Sequence, residues 1–162
     1  MHKKEAFVGL IKENEGVIFK ITSVYSNDKE DQKDLYQEII YQLWKSFDSF
    51  KGNSKISTWM YRVALNTSIA HLNRGKKRIK QANIDFELLN ISYEHDTLIE
   101  ERMSILYNHI KSLNTVEKGI ILLFLEGKPY DEIAVITGFT KTNIGTRLNR
   151  IKEKLKKQII KQ

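Results

Sequence analysis

Apolar residues recur at three- and four-residue spacing along most of the 162-residue chain and seldom alternate with polar ones, the pattern of helices that bury one face. The first such stretch runs from about Lys4 to Tyr25. The cluster SNDKED then supplies turn and N-cap residues ahead of a second helix, DQKDLYQEIIYQLWKSF. A polar break, FKGNSK, separates this from a third helix that begins near Ile56 and runs into the basic stretch RGKKRIK. After Arg78 the periodicity degrades, and from Asp85 to Glu101 acidic residues occur with no lysine or arginine among them. That charge reversal reads as a linker. Periodicity resumes near Leu98. Asn114, with Glu117 three residues on, has the spacing of a capping box opening TVEKGIILLFLE, which Gly127 can close. YDEIAVIT and KTNIGTRLNRIKEKLKKQII then flank Gly138-Phe139-Thr140. A helix, a three-residue glycine turn and a more basic helix have helix-turn-helix spacing.

With one proline and few glycines, the expected fold class is all-α. The expected organisation is two small helical domains, 1–78 and 98–162, joined by a flexible linker, 79–97, with the C-terminal domain a helix-turn-helix. No repeat at a solenoid period is visible.

Three helices carry more than core residues. Projected at about 100° per residue, the third helix places Val63, Ala70, Met60 and Ala64 on one arc and Tyr61, Leu72, Leu65 and Ile69 on another. A narrow polar stripe of Arg62, Asn66 and Asn73 remains, edged by Trp59 and Ile69. One reading is a core helix whose stripe faces water. The other is a surface for nucleic acid, because a guanidinium, two amides and an aromatic edge suit phosphates, base edges and unstacked bases, and the basic run from Arg74 extends it. In the last helix, Ile144, Leu148, Ile151 and Leu155 form a packing stripe. Thr142, Asn143, Thr146, Asn149 and Arg150 lie roughly opposite, side chains of the kind that read base edges, with Lys141, Arg147 and Lys152 placed for phosphates. The second helix differs. Its core face is Leu35, Tyr36, Ile39, Ile40 and Leu43, leaving Asp31, Asp34, Gln37, Glu38 and Tyr41 as an acidic face that would repel DNA and is either solvated or a protein-docking surface.

Charge narrows the partners. The formal net charge is +7, which favours a polyanion such as nucleic acid or an anionic membrane. The longest apolar run, GIILLFLEG, is too short to span a bilayer, and MHKKEAF lacks the features of a signal peptide, so a cytoplasmic protein without membrane insertion is expected. Absence of cysteine removes disulfides, thiol nucleophiles and thiolate metal sites. His2, His71, His95 and His109 lie in unrelated segments without metal-ligand spacing, and no glycine-rich phosphate loop is present. No catalytic residue, metal or cofactor is expected. A conventional helix-turn-helix repressor would use the C-terminal evidence but has no need of the acidic helix or the aromatic-edged stripe.

On these residues the chain resembles the bacterial RNA polymerase sigma factors of the extracytoplasmic-function group. DQKDLYQEIIYQLW is similar to the family's polymerase-binding helix through Asp34, Leu35, Gln37 and Glu38. FKGNSKISTWMYRVALN is similar to its promoter-melting segment through Phe50, Gly52, Thr58, Trp59, Tyr61, Arg62, Ala64 and Asn66. LEGKPYDEIAVITGFTKTNIGTRLNRIKEKL resembles its second DNA-binding domain through Glu126, Gly127, Tyr130, Glu132, Ile133, Ala134, Gly138, Arg147, Leu148 and Arg150. The chain departs from the family where TKTNIGTRL replaces a common Gly-Thr-Val ahead of a Ser-Arg pair, and where Asn114 replaces a common proline.

The resemblance implies a subunit that joins core RNA polymerase and directs it to promoter DNA, with an anti-sigma factor as a possible further partner. Polymerase would meet Asp31, Asp34, Gln37, Glu38 and Tyr41. The upstream element would be read by Lys141, Thr142, Asn143, Thr146, Arg147, Asn149 and Arg150. The melted strand would be held by the loop residues Lys51, Asn53, Ser54 and Lys55 with Trp59, Arg62, Asn66, Asn73 and Arg74. The alternative is a helix-turn-helix regulator that does not associate with core polymerase.

Overall fold

The computed structural model describes residues 3–50, 52, 55–74 and 97–160, and among these the regular structure is helical. The helices are α1 (Lys3–Tyr25), α2 (Lys29–Ser46), α3 (Ile56–Arg74), α4 (Thr97–Lys111), α5 (Thr115–Leu125), α6 (Tyr130–Thr137) and α7 (Lys141–Ile160), with a 3-10 turn at Phe47–Ser49. The chain divides into two units, Met1–Glu94 and His95–Gln162. The expected linker lies outside the described residues apart from Thr97, as do the loop residues Lys51, Asn53 and Ser54.

In the first unit α1, α2 and α3 pack against one another. Phe7, Leu10, Ile11, Ile18, Ile21 and Tyr25 recur at helical spacing on α1 and are buried. They meet Leu35, Tyr36, Ile39, Ile40 and Leu43 of α2 and Met60, Tyr61, Ala64 and Leu65 of α3 in the same core. Each fully buried aliphatic or aromatic chain contributes about 1.5–3 kcal/mol over its exposed state. Helix α2 starts where Asp28 caps it, its carboxylate accepting from the Asp31 backbone N–H at 2.8 Å. At the other end of α2 an aromatic cluster closes the unit. Phe7 meets Trp44 and Phe47 edge-on at 5.1 and 5.3 Å between centroids. Trp59 tilts against Phe47 and Phe50 at 6.1 and 5.3 Å. Lys3 sits over the Trp44 ring at 4.1 Å and bonds Asp48 at 2.8 Å, fastening the start of α1 to the turn after α2.

The second unit gathers α4 to α7 around Ile110, Leu113, Ile120, Ile121, Leu122, Leu123, Ile133, Ile136, Ile144, Leu148, Ile151 and Leu155. The Asn114–Glu117 capping box is formed in both directions, the Glu117 N–H donating to Asn114 Oδ1 at 2.8 Å and the Asn114 N–H donating to Glu117 Oε1 at 3.2 Å. Gly138 ends α6 at φ 86 in the left-handed region, with its N–H donating to the Ala134 carbonyl. Only glycine takes that conformation without steric cost. Thr140 then caps α7, its hydroxyl accepting from the Asn143 N–H at 3.1 Å. The turn between the two helices is therefore the three residues that the glycine spacing predicts. The far end of α7 is tied to the end of α4 through Gln158, which bonds His109 and Ser112.

Candidate nucleic-acid and protein interfaces

Helix α3 buries Met60, Tyr61, Ala64, Leu65, Ser68 and His71 and leaves Arg62, Asn66, Asn73 and Arg74 exposed. The polar stripe thus faces outward as expected. It is broader than the apolar pattern implied, because Ala70 is exposed and Val63 and Ile69 are half-buried. Neither side of a helix that looks apolar all round is fully covered when it packs at the edge of a three-helix unit. Trp59 is half-buried, with its ring supported by Phe47 and Phe50, so it borders the stripe rather than standing free on it. Lys55 is exposed just ahead of α3.

The acidic face of α2 requires a correction. Asp34 is exposed and Gln37 and Tyr41 are half-buried, but Asp31 and Glu38 are only 2% and 7% exposed. Both face α3. His71 places Nε2 2.8 Å from Asp31 Oδ1 and Nδ1 3.1 Å from Glu38 Oε2. The second Asp31 oxygen accepts the Asn27 N–H at 2.9 Å, and the second Glu38 oxygen is bonded by Arg74. Each of the four carboxyl oxygens has a polar partner within the unit, which is what burial of two acidic side chains demands. The signal was present in the sequence. At about 100° per residue, Asp31 and Glu38 fall within roughly 60° of Leu35, on the margin of the core stripe, whereas Asp34, Gln37 and Tyr41 fall beyond it. His71, unassigned from the sequence, and Arg74, expected only on DNA, are the basic residues that meet them. The carboxylates occupy opposite sides of one imidazole, and no group of three or more acidic or histidine side chains among the described residues could hold a metal ion.

On α7, Lys141, Thr142, Asn143, Thr146, Asn149, Arg150 and Lys152 are exposed, opposite the buried stripe of Ile144, Leu148, Ile151 and Leu155. Arg147 is half-buried. Its guanidinium lies over the Phe139 ring at 4.2 Å, and its Nε donates to Asn143 Oδ1 at 2.6 Å. Lys152 leans over the Phe124 ring at 4.2 Å. Gly145 is half-buried, and a Cβ there would meet the Tyr130 ring at 3.5 Å, so the first helix of the pair lays an aromatic face against the second.

An ion pair joins α7 to α5 beyond this row. Glu117 on α5 accepts from Lys154 on α7 at 2.6 Å. Burial raises the Glu117 carboxyl, but the hydrogen bonds from Lys154 and the Asn114 N–H, with the charges of Lys154 and Arg147, outweigh it and hold the group below its ordinary value of 4.5. On the same helix Lys118 is pushed down by burial and by the neighbouring Lys111 charge.

Comparison with known proteins gives a consistent set of relatives. The family profile described as "Sigma-70 region 2" matches residues 10–78, and that described as "Sigma-70, region 4" matches residues 104–155. The chain is 29% identical over 141 residues to the ECF RNA polymerase sigma-E factor of Escherichia coli, covering 80% of this chain and 74% of that one. It is 27% identical over 168 residues to the sigma-E factor of Haemophilus influenzae, covering 96% and 88%. In fold it is similar to CnrH in a complex with the cytosolic domain of CnrY, with a TM-score of 0.71 at 16% identity over 97% of this chain and 89% of that one. It is also similar to the sigma factor RpoE of Bartonella quintana, solved with the anti-sigma factor NepR, with a TM-score of 0.59 at 16% identity over 93% and 96%.

Proposed function

The chain belongs to the sigma-70 family, in its extracytoplasmic-function group, and from this we propose how its surfaces divide the work of transcription initiation. The observation that carries the reading is the occurrence in one chain, in family order, of a region 2 and a region 4, each presenting a polar face free of core residues. The protein is a transcription initiation factor that binds core RNA polymerase and brings it to promoter DNA.

In this reading the domains are 1–78 and 98–162 with a linker between them. Asp34, exposed on α2, supplies the polymerase contact with Gln37 and Tyr41, since an acidic face does not compete for DNA. Asp31 and Glu38 act from behind by fixing α2 against α3. Arg62, Asn66 and Asn73, bordered by Trp59, take the melted strand, because amide and guanidinium groups beside an aromatic edge gain more from an unstacked base than from a closed pair. The row Lys141, Thr142, Asn143, Thr146, Asn149 and Arg150 enters the major groove of the upstream element, the first turn of a recognition helix being the part that reaches base edges. Partners therefore include promoter DNA, core polymerase and an anti-sigma protein of the kind seen with the Bartonella relative. The site of action is the cytoplasm, where these partners are. No described helix is long and apolar enough to cross a membrane.

Transcription in vitro with core polymerase, with and without the full chain, on a promoter library tests the assignment. Chain-dependent initiation from a subset of promoters that share two spaced elements is expected. Tight duplex binding without any polymerase-dependent product would instead indicate a regulator.

A further inference from the structure

Asn143 and Arg147 lie one turn apart on the exposed row of α7, and their hydrogen bond fixes which polar atoms each can offer. A guanidinium only donates, so the Asn143 atom 2.6 Å from Arg147 Nε is the carbonyl oxygen. The Asn143 amide nitrogen is left as the outward group. The side chain cannot swivel without giving up that bond, and Arg147 cannot follow, because its guanidinium rests on the Phe139 ring. Asn143 also sits in the first turn of the helix, its backbone N–H held by the Thr140 hydroxyl, at the depth where recognition helices meet bases.

An asparagine free of such a contact reads adenine by accepting from N6 and donating to N7. Here a donor approaching the Asn143 oxygen would arrive beside a cation. Guanine offers two acceptors, O6 and N7, and both are drawn to the Asn143 amide hydrogens and to the neighbouring guanidinium. We propose that Phe139, Asn143 and Arg147 form one reading unit that selects a G·C pair over an A·T pair at one position of the upstream element, with Asn143 as the contacting residue and Phe139 as a positioning residue. This rests on the proposed promoter-reading role of α7 and specifies the base that it reads.

The test uses the full chain with core polymerase on promoters randomised across the upstream element, and the full chain alone on the same duplexes. Wild type is expected to enrich G·C at the position that Asn143→Ala flattens, with a loss of discrimination on the order of tenfold there and no change at other positions. Arg147→Ala releases the Asn143 oxygen and should move that same position toward A·T. Phe139→Leu should weaken the preference at that position, and Phe139→Tyr, which keeps the ring, should restore it. Any other base pair at the Asn143-sensitive position, or no position sensitive to Asn143→Ala, overturns the inference. If polymerase yields no product while duplex selection still reports a base preference, the initiation role fails and the reading unit is judged separately.

Discussion

His71 and Asp31, forty positions apart in sequence, meet at 2.8 Å inside the contact between α3 and α2. The other ring nitrogen faces Glu38, so a single imidazole links two buried acids. Removing the shared partner leaves one buried oxygen of each acid unpaired, although Asn27 and Arg74 still bond the other, and breaking such a buried set costs about 3–5 kcal/mol. His71→Ala is expected to lower the stability of the first unit by that order, read as a shift in the urea midpoint. Little change in the midpoint would show that the acids find water instead.

The same geometry separates affinity from stability on α2. Asp34→Lys changes an exposed side chain and should leave stability within about 0.5 kcal/mol while weakening the complex with core polymerase. Glu38→Gln should destabilise the unit first. An Asp34→Lys protein that binds polymerase as tightly as wild type would remove this face from the contact.

Acid should loosen the second unit through Glu117. Its carboxyl is held below 4.5 in the folded chain, so the folded state favours the charged form. The stability it contributes is fully present above the unfolded value and is lost as pH falls through the lower folded value. Glu117→Gln should flatten stability against pH in the window below about pH 4.5. Denaturant titrations of wild type and variant across that window check the sign, and parallel acid limbs would count against it.

On the polar stripe, Arg62→Ala and Asn66→Ala remove exposed side chains. Polymerase binding and upstream-element selection should stay near normal while open-complex formation falls, by a loss of about 1–3 kcal/mol per base contact removed. Permanganate reactivity of unpaired thymines on closed and pre-melted templates is the measurement. A stripe that only meets water would give wild-type opening on closed templates, or no rescue on pre-melted ones.

Gly138→Ala tests the turn. At φ 86 a side chain costs about 1–2 kcal/mol, and the thermal midpoint of the second unit should fall accordingly, with Asn at that position tolerated better.

Much of this was legible in the sequence because caps and periodicity act locally. Asn114 and Glu117 needed only three residues of spacing, and Gly138 needed only the helices on either side. The long-range pairings were not legible. Asp31 and Glu38 looked like surface acids because nothing within α2 shows that His71 and Arg74 stand opposite. Arg147, assigned to phosphates from its charge, turned out to rest on Phe139, a turn residue with no pattern of its own. Ala70 looked like core because periodicity records apolarity and not which neighbour is near enough to cover it.

The aromatic cluster around Phe47 also gives the chain an optical division. Its two tryptophans, Trp44 and Trp59, both lie in that cluster, and none lies in the second unit. Indole emission therefore reports on the first unit alone: a ligand that docks on α7, or a substitution that melts the helix-turn-helix, leaves it dark to this probe. A fluorescence-monitored melt will show one transition where calorimetry can show two, and a tryptophan placed in the second unit would be needed to watch the other half.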